Sequence, residues 1–255
     1  MPPPLVVLPA RLAAMVRALH ALDVPGMPAV AVIGGMAVNI RLSTVADAHR
    51  ATQDIDLVAH DAVPGAFDIL AHDHPARRDQ SVVVDGVTID VIVTHPVTDD
   101  DLDGLADDQR LFLAGHRWAL DSAQPVRIAV GTDAAVILVP VATPAGLVAA
   151  KSHAAGYPRA ARRATKHAGD LYDLFRLVEV FDSAGQLRDE LSAAPGQIGR
   201  LVADVVIAEI LANPARAAHQ MGVASLAGLP RADRVRDVLE PFVDELRRSG
   251  ERDAT

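Results

Sequence analysis

Five apolar runs in the first 140 residues have the length and composition of β-strands. They are rich in Val and Ile, and turn sequences typical of hairpins, Asp85-Gly86 and Gly131-Thr132-Asp133, separate two pairs of them. A sixth strand is predicted at 52–59, where apolar and polar residues alternate. The five apolar runs are residues 29–33, 81–84, 87–93, 126–130 and 134–139.

Helical periodicity dominates the remainder of the chain. Apolar residues three or four positions apart, such as Leu171, Leu174 and Leu177, predict helices with one side facing a core. Because the predicted strands stop near residue 140, we expect an α/β (α+β) domain over residues 1–140 and a helical domain over 141–255. The predicted helices are residues 9–22, 35–42, 65–72, 145–155, 160–180, 196–211, 215–221 and 232–248.

The segment from residue 29 to residue 58 carries the first candidate chemistry. Its first strand ends at Gly34-Gly35, a pair that lets the chain turn sharply and present backbone N–H groups to an anion. Asp54 and Asp56 are two residues apart on the next predicted strand, so their side chains point to the same face. Neighbouring carboxylates repel each other, and a bound Mg²⁺, which prefers oxygen ligands, removes that repulsion. The segment therefore predicts a site for a metal-bound polyphosphate.

Each half of this pattern is weak when it stands alone. A D-x-D sequence is typical of a polar strand end, and a Gly-Gly pair is typical of an ordinary turn. Their order, with about 20 residues between them and strand-like residues beside each, favours a functional site. The segment matches neither the G-x-x-x-x-G-K-[ST] phosphate loop nor the G-x-G-x-x-G dinucleotide motif.

Asp90 is a third candidate ligand, because it lies among β-branched residues of the strand at 87–93. A charge in such a run is costly unless it is paired or coordinated, although a half-exposed strand also tolerates an acid on its solvent side. The six aspartates between Thr98 and Asp108 have no strands beside them. We interpret that segment as a solvated loop and first helical turn rather than a metal site.

Composition limits the classes of protein that are compatible with the chain. Of its 255 residues, 50% are hydrophobic and 3% aromatic, which favours an ordered globular protein. The absence of cysteine excludes disulfides and thiolate metal sites. No run of 18 uncharged apolar residues predicts a membrane span, so we expect a cytoplasmic protein. The net charge of −9 excludes a surface that is basic throughout.

Positive charge is concentrated in one segment, which contains both lysines of the chain, Lys151 and Lys166. Arg162, Lys166 and Asp170 recur every four residues along a predicted helix, so they share one face. The same spacing is typical of an ordinary exposed helix that ion pairs stabilise, and both interpretations stay open at this point.

Taken in order, these motifs resemble the AbiEii/AbiGii-type (MenT-like) nucleotidyltransferases, which are toxins of toxin–antitoxin and phage-defence pairs. The resemblance covers about residues 30–178. It implies a polymerase-β-like nucleotidyltransferase fold with a mixed sheet and a helical C-terminal part, and Mg²⁺-dependent transfer of a nucleotide from an NTP. Some members act on tRNA acceptor ends, typically with pyrimidine nucleotides, so tRNA and an antitoxin are implied partners. The matching residues are Gly34-Gly35, Arg50-x-Thr52-x-Asp54-Ile-Asp56-Leu57, Asp90, Lys151, and Arg162-x-x-x-Lys166-x-x-x-Asp170-Leu171.

The resemblance suggests a role for each of these side chains. Asp54, Asp56 and Asp90 would hold the metal, and Asp90 would also help to deprotonate the acceptor hydroxyl. Lys151 would neutralise charge on the triphosphate, and Asp170 would orient a lysine or contact the nucleotide. The implied nucleotide-binding residues are Gly34, Gly35, Thr52, Arg162 and Lys166.

Two positions depart from the family pattern. Met36 stands where a small hydroxyl residue often follows the glycines, and His167 stands where an aspartate often follows the lysine. These departures bear on the choice of substrate and on rate more than on the type of reaction, because the carboxylates are retained. Two further functions stay open: nucleotide transfer to a small cationic molecule such as an aminoglycoside, and a catalytically silent binding module on the same fold.

Overall fold

An eight-stranded mixed β-sheet is the framework of the first part of the chain. The computed structural model describes residues 2–43, 52–78, 80–131, 135–157, 164–225, 228 and 230–253. In the sheet the strands follow the order β1-β7-β8-β2-β3-β6-β5-β4. Their bounds are β1 Leu5–Leu8, β2 Val30–Ile33, β3 Asp54–His60, β4 Ala76–Arg78, β5 Ser81–Val84, β6 Val87–Thr94, β7 Gln124–Val130 and β8 Ile137–Val141.

The pairing at the centre of the sheet places the strands that carry the candidate chemistry side by side. β3 pairs with β2 in antiparallel and with β6 in parallel orientation. β5 and β6 form the hairpin predicted at Asp85-Gly86, and both turn residues have positive φ angles, as a two-residue hairpin turn requires. β7 and β8 form the second predicted hairpin.

Helices make up most of the remaining described residues, and the mixed sheet with a helical C-terminal part confirms the predicted fold class. The segment 98–108 contains one short helix and the start of a longer one, as its acid-rich first turns suggest. The helix bounds are α1 Ala13–Leu19, α2 Gly34–Leu42, α3 Ala66–Asp73, α4 Asp99–Leu102, α5 Asp107–Asp121, α6 Pro144–Gly156, α7 Ala164–Phe181, α8 Gln186–Ser192, α9 Ile198–Val206, α10 Pro214–Ala224 and α11 Ala232–Asp253.

The N-terminal segment differs from the prediction, which gave no strand before the helix at 9–22. Residues 5–8 form edge strand β1, in which Leu5 and Val7 are exposed while Val6 and Leu8 are buried. The alternation is real but only four residues long, too short to be distinguished by sequence from the start of a helix. The predicted helix is shorter, because single 3₁₀ turns at Ala10–Leu12 and His20–Leu22 flank α1.

Internal contacts divide the described residues into two compact units. The sheet unit holds the described residues within 2–43, 52–96 and 119–143, and the helical unit holds those within 97–118 and 144–253. One division therefore falls between Thr143 and Pro144, and the earlier segment 97–118 belongs to the helical unit. The two-domain division at residues 140 and 141 stays a prediction.

A helix that spans a membrane must be both long and apolar. None of the described helices meets both conditions by itself, and one pair of consecutive helical segments, Gln186–Ser192 with Pro195–Leu211, meets them together but is bent by 112°.

Candidate active site

Three aspartates converge on one face of the sheet unit. In the parallel register of β3 and β6, Asp56 lies beside Asp90 and Asp54 lies beside Thr88. Side chains alternate along each strand, so all three carboxylates project from the same face. One carboxylate oxygen from each residue can be chosen such that all lie within 4.8 Å of one another.

The opposite face of the same two strands explains why the sequence folds this way. Ile55, Leu57 and Ile89 alternate with the aspartates and are completely buried. Their burial fixes the register, because a slip of one residue would turn the aspartates into the core. The three carboxylates are half-buried, so the cluster keeps access to solvent while part of its hydration is lost.

Gly34 closes one side of this cluster. The antiparallel register of β2 and β3 places Ile33 beside Asp56, and α2 begins at the next residue, Gly34, whose φ angle is +66°. A Cβ atom at this position would lie 2.0 Å from Oδ2 of Asp56, so no larger residue fits while that carboxylate stays in place. The N-terminal end of α2, where backbone N–H groups lack partners within the helix, thus begins at the carboxylate cluster.

Thr52 contacts the first of the three aspartates. Its Oγ1 lies 3.3 Å from the backbone oxygen of Asp54 and 3.5 Å from Oδ1 of the same residue. The hydroxyl is therefore placed to orient Asp54 at the start of β3. Arg50, which belongs to the same motif, lies outside the described residues.

Arg41 is a buried cation that the sequence analysis missed. Its Nε donates to the carbonyl oxygen of Ala142 at 2.9 Å, and its Nη2 donates to that of Val141 at 2.6 Å. These bonds join the C-terminal turn of α2 to the end of β8, and charge-assisted bonds of this kind are about twice as strong as neutral ones. The available signal was an arginine within the segment 35–42, where Asn39 is the only other polar residue.

Lys151 lies in a second charged cluster, inside the helical unit. Its Nζ donates to Oδ1 of Asp170 at 2.7 Å and lies 2.9 Å from Oδ2 of Asp173. The three side chains are 6%, 3% and 1% exposed, so the ions are almost fully removed from water. Sequence reasoning found Lys151 and Asp170 but missed Asp173, which lies one helical turn beyond Asp170 on α7.

Of the other predicted residues that the structure describes, Lys166 is not part of the Lys151 cluster. Lys166 is exposed on α7, and Arg162 lies outside the described residues. His167 lies 3.8 Å from a carboxylate oxygen of Glu209, while Met36 is completely buried in α2. The position after the glycines therefore supplies a buried apolar side chain here rather than a hydroxyl group.

The chemistry of the Asp54–Asp56–Asp90 cluster fits a divalent metal ion. Three convergent carboxylates supply hard oxygen ligands, which Mg²⁺ prefers, and a cation offsets their mutual repulsion. The absence of a side chain at Gly34 gives the Asp56 carboxylate room to lie against the start of α2. No cysteine is present to favour a softer metal.

A protein-family model matches most of the chain. The family model described as nucleotidyl transferase AbiEii toxin, type IV toxin–antitoxin system, matches residues 17–245. No curated protein matches the chain significantly.

Proposed function

We propose that this chain, which belongs to the AbiEii family of nucleotidyltransferase toxins from type IV toxin–antitoxin systems, moves a nucleotide from an NTP to an RNA acceptor in a Mg²⁺-dependent reaction. The observation that carries the proposal is the convergence of Asp54, Asp56 and Asp90 beside the glycine that begins α2. A site for a metal-bound triphosphate needs both a set of oxygen ligands and close access for backbone N–H groups.

The three aspartates would hold Mg²⁺, which in such sites neutralises charge on the reacting phosphates and lowers the pKa of a bound hydroxyl. Asp90 accepts the proton of the acceptor hydroxyl, whose oxygen forms a bond to the α-phosphorus. The bond from that phosphorus to the bridging oxygen breaks, and pyrophosphate leaves. Asp54 and Asp56 hold their positions throughout, Asp54 with the help of the Thr52 hydroxyl.

Nucleotide binding is assigned to the turn and to cations from the helical part of the sequence. Gly34 and Gly35 present backbone N–H groups to the phosphates. Thr52 is assigned to phosphate binding as well, because it lies two residues before Asp54 in the sequence. The exposure of Lys166 supports its assignment, because the lysine is accessible to a nucleotide. Arg162 is assigned from the resemblance alone.

Lys151 and Asp170 are proposed to act as a pair in which Asp170 orients the lysine. Because the Lys151 ammonium is almost fully buried between two aspartates, neutralisation of triphosphate charge by this lysine requires the cluster to open toward the nucleotide. Their hydrogen bond of 2.7 Å supports the orienting role.

The acceptor is proposed to be the 3′ end of a tRNA, and an antitoxin is the expected protein partner. The family match supports a toxin that acts within a toxin–antitoxin pair. The cytoplasm is the proposed location, because NTPs and tRNA are found there.

A small cationic acceptor such as an aminoglycoside is the second candidate. The observation that favours it is the exposed acidic surface of α4 and the residues around it, which would attract a cation. Its exposed aspartates are Asp99, Asp100, Asp101, Asp103 and Asp107.

One labelling experiment separates these possibilities. The full chain is incubated with each labelled NTP and Mg²⁺, with total tRNA or with a panel of aminoglycosides as the acceptor. Label in tRNA supports the proposal, and label only in an antibiotic supports the second candidate. Loss of labelling on removal of Mg²⁺ is expected, and labelling that persists without any divalent ion contradicts the metal assignment.

A matched pair of variants tests the aspartate cluster in the same assay. Asp54→Asn removes a ligand charge and should lower the rate about a thousandfold or more, since a metal clamp contributes several kcal/mol to transition-state stabilisation. Asp85→Asn makes the same chemical change in the exposed turn between β5 and β6 and should keep the wild-type rate. Absence of both labelling and Mg²⁺-dependent NTP binding in the wild type would indicate a silent binding module.

A further inference from the structure

Aromatic rings are scarce in this chain, yet four ring side chains form one continuous cluster in the helical unit. Phe112 and His116 lie four residues apart on α5, and His153 and Tyr157 are four apart at the end of α6. The centroid distances are 4.6 Å for Phe112–His116, 5.0 Å for Phe112–His153, and 5.8 Å for both His116–His153 and His153–Tyr157. Only eight of the 255 residues are Phe, Trp or Tyr, so this concentration is local.

The two helices approach each other beside these rings. Gly115 on α5 faces Ala149 on α6, and a Cβ added to the glycine would be in ordinary contact with that of Ala149 at 3.5 Å. His116 is 5% exposed, and its Nδ1 donates to the carbonyl oxygen of Phe112 at 2.7 Å. The ring of His116 is thus fixed behind Phe112 and His153, which are only partly buried.

The two partly buried rings border an open pocket with a volume of about 300 Å³, here called the ring pocket. This volume lies at the lower end of the range for small-molecule sites, so it suits a group the size of a single heterocycle. The lining residues are Leu105, Asp108, Gln109, Phe112, Leu113 and His153.

The polar groups of the ring pocket define the chemistry of a ligand. The Asp108 carboxylate can only accept hydrogen bonds when ionised, so the ligand must offer an N–H donor. Gln109 Oε1 accepts from the backbone N–H of Ala106 at 3.3 Å, which leaves its amino group as the donor that this side chain offers to a ligand. No described lining residue is a lysine or arginine, so the pocket itself does not select a phosphate.

We propose that the ring pocket binds one unpaired nucleobase that carries an exocyclic amino group. The base stacks against Phe112 and His153, its amino group donates to Asp108, and Gln109 donates to a neighbouring ring nitrogen or carbonyl oxygen of the base. Adenine, cytosine and guanine offer this combination of donor and acceptor, whereas uracil lacks the amino group. Stacking of a base on an aromatic side chain is sequence-tolerant, and the polar pair supplies the selection.

The electrostatic surroundings of the ring pocket agree with a neutral base rather than an anion. The pKa of Tyr157 is raised above its ordinary value, first because burial removes its hydroxyl from water and then because Asp107, Asp108 and Asp204 are nearby. Tyr157 therefore stays protonated at neutral pH. The neighbouring carboxylates repel a phosphate and attract the positive edge of an amino group.

This inference rests on the proposed function for the class of ligand, and it deepens that function. The nucleobase belongs either to the NTP or to the RNA acceptor of the proposed reaction. Binding in the ring pocket requires neither metal nor phosphate. It is therefore measurable apart from nucleotide transfer, and failure of one does not imply failure of the other.

The experiment uses the full chain without Mg²⁺ and measures the fluorescence of 2-aminopurine, which is quenched when the base stacks. The probes are 2-aminopurine riboside and a single-stranded RNA pentanucleotide with one 2-aminopurine. We expect saturable quenching, with competition by adenosine, cytidine or guanosine and weaker competition by uridine. Tighter binding of the pentanucleotide than of the riboside assigns the base to the RNA acceptor, and stronger competition by an NTP than by the pentanucleotide assigns it to the NTP.

Three variants make the test specific. Phe112→Leu keeps an apolar side chain but removes the stacking ring, and should weaken binding roughly tenfold or more. Asp108→Asn should remove the preference for amino-bearing bases over uridine. Asp107→Asn is the matched control, because it removes the neighbouring charge, which pairs with Arg200 and does not line the ring pocket.

The proposal is overturned if neither probe is quenched, or if Phe112→Leu binds like the wild type. Equal effects of Asp107→Asn and Asp108→Asn would also overturn it, since they would indicate a general effect of charge. Circular dichroism and thermal unfolding of each variant verify that it is folded. If Phe112→Leu is not folded, the comparison of base preference between Asp108→Asn and Asp107→Asn still decides the outcome.

Discussion

The two charged clusters of this protein treat aspartates in opposite ways. In the sheet unit, Asp54, Asp56 and Asp90 converge on one another and stay half-exposed. In the helical unit, Asp170 and Asp173 converge on the ammonium of Lys151, and all three side chains are almost fully buried. The chain thus brings like charges together where solvent reaches them and surrounds a cation with acids where solvent is excluded.

This difference follows from the cost of removing a charge from water. Buried ions are tolerated only when paired and hydrogen-bonded, which the lysine cluster achieves with its own residues. Carboxylates at a partly hydrated sheet face can remain close together, at the expense of repulsion that a divalent cation relieves. The first arrangement is suited to holding helices together, and the second is suited to binding an external ion.

Removal of the cation from the buried cluster should have the largest effect on stability. Lys151→Met leaves two buried carboxylates without their ammonium, which should lower the free energy of unfolding by about 3–5 kcal/mol. Urea unfolding of the full chain measures this change. The triple variant Lys151→Met, Asp170→Asn, Asp173→Asn removes the unpaired charges and should recover part of the loss. A single variant as stable as the wild type would show that the cluster is not a structural ion pair.

A side chain at Gly34 should disturb the other cluster. Gly34→Ala combines a positive φ angle with a Cβ that would lie 2.0 Å from Asp56 Oδ2, so we expect a loss of stability of about 2 kcal/mol and displacement of that carboxylate. Nucleotide transfer should fall accordingly.

Gly86→Ala is the matched control for Gly34→Ala. Gly86 also has a positive φ angle, but nothing lies within 4 Å of an added Cβ, so backbone strain alone is measured at about 1 kcal/mol. Unfolding and labelling assays on both variants separate strain from the clash with Asp56. Equal behaviour of the two variants would show that Asp56 is not held against Gly34.

Mg²⁺ should stabilise the protein through the aspartate cluster. At ten times its dissociation constant, an ion that binds only the folded state raises the free energy of unfolding by about 1.4 kcal/mol. Thermal unfolding with and without Mg²⁺ should show this increase for the wild type and a smaller one for Asp56→Asn. Equal stabilisation of both proteins would place the ion elsewhere, and Asp85→Asn serves as the control for a change of surface charge.

Asp182 is intermediate between the two clusters, because it is partly buried and pairs with one arginine. Its expected effect on stability is the smallest. Asp182 lies 2.8 Å from Arg188 Nε, yet burial raises the pKa of its carboxyl group above the ordinary value of 3.8. A raised pKa in the folded state means that its contribution to stability is full at low pH and is lost as the pH rises through the folded value. The stability of the wild type relative to Asp182→Asn should therefore decrease with rising pH, and urea unfolding at pH 3 and pH 7 measures this difference. An increase would show that the ion pair with Arg188 outweighs burial.

The sequence was most informative where the position of a side chain depended only on its neighbours in the same strand or turn. The alternation around Asp54 and Asp56 placed both on one face, and Asp85-Gly86 marked its hairpin, because each feature depends on residues within one strand or turn. Asp90 was placed beside them only by assuming which strands pair. The register of β3 and β6 brings Asp56 and Asp90 side by side.

Contacts between distant segments were harder to foresee. Arg41 binds carbonyl oxygens about 100 residues away, and nothing in its own helix indicates that it turns toward β8. Asp173 was overlooked for a related reason: an aspartate beside a tyrosine on an amphipathic helix gives no sign of a lysine 22 positions earlier until α6 and α7 are packed together. The catalytic and nucleotide-binding roles of the site residues remain predictions.

The parallel alignment of Asp56 with Asp90 has a consequence for how this family can vary in length. The connection from β3 to β6 carries α3, β4 and β5, and insertions in its loops leave the two aspartates neighbours. One residue added between Val87 and Asp90 would instead rotate that acid toward the buried side of the sheet, among Ile89 and Val91. Natural length differences should therefore accumulate in the loops and spare the few residues that precede the third acid.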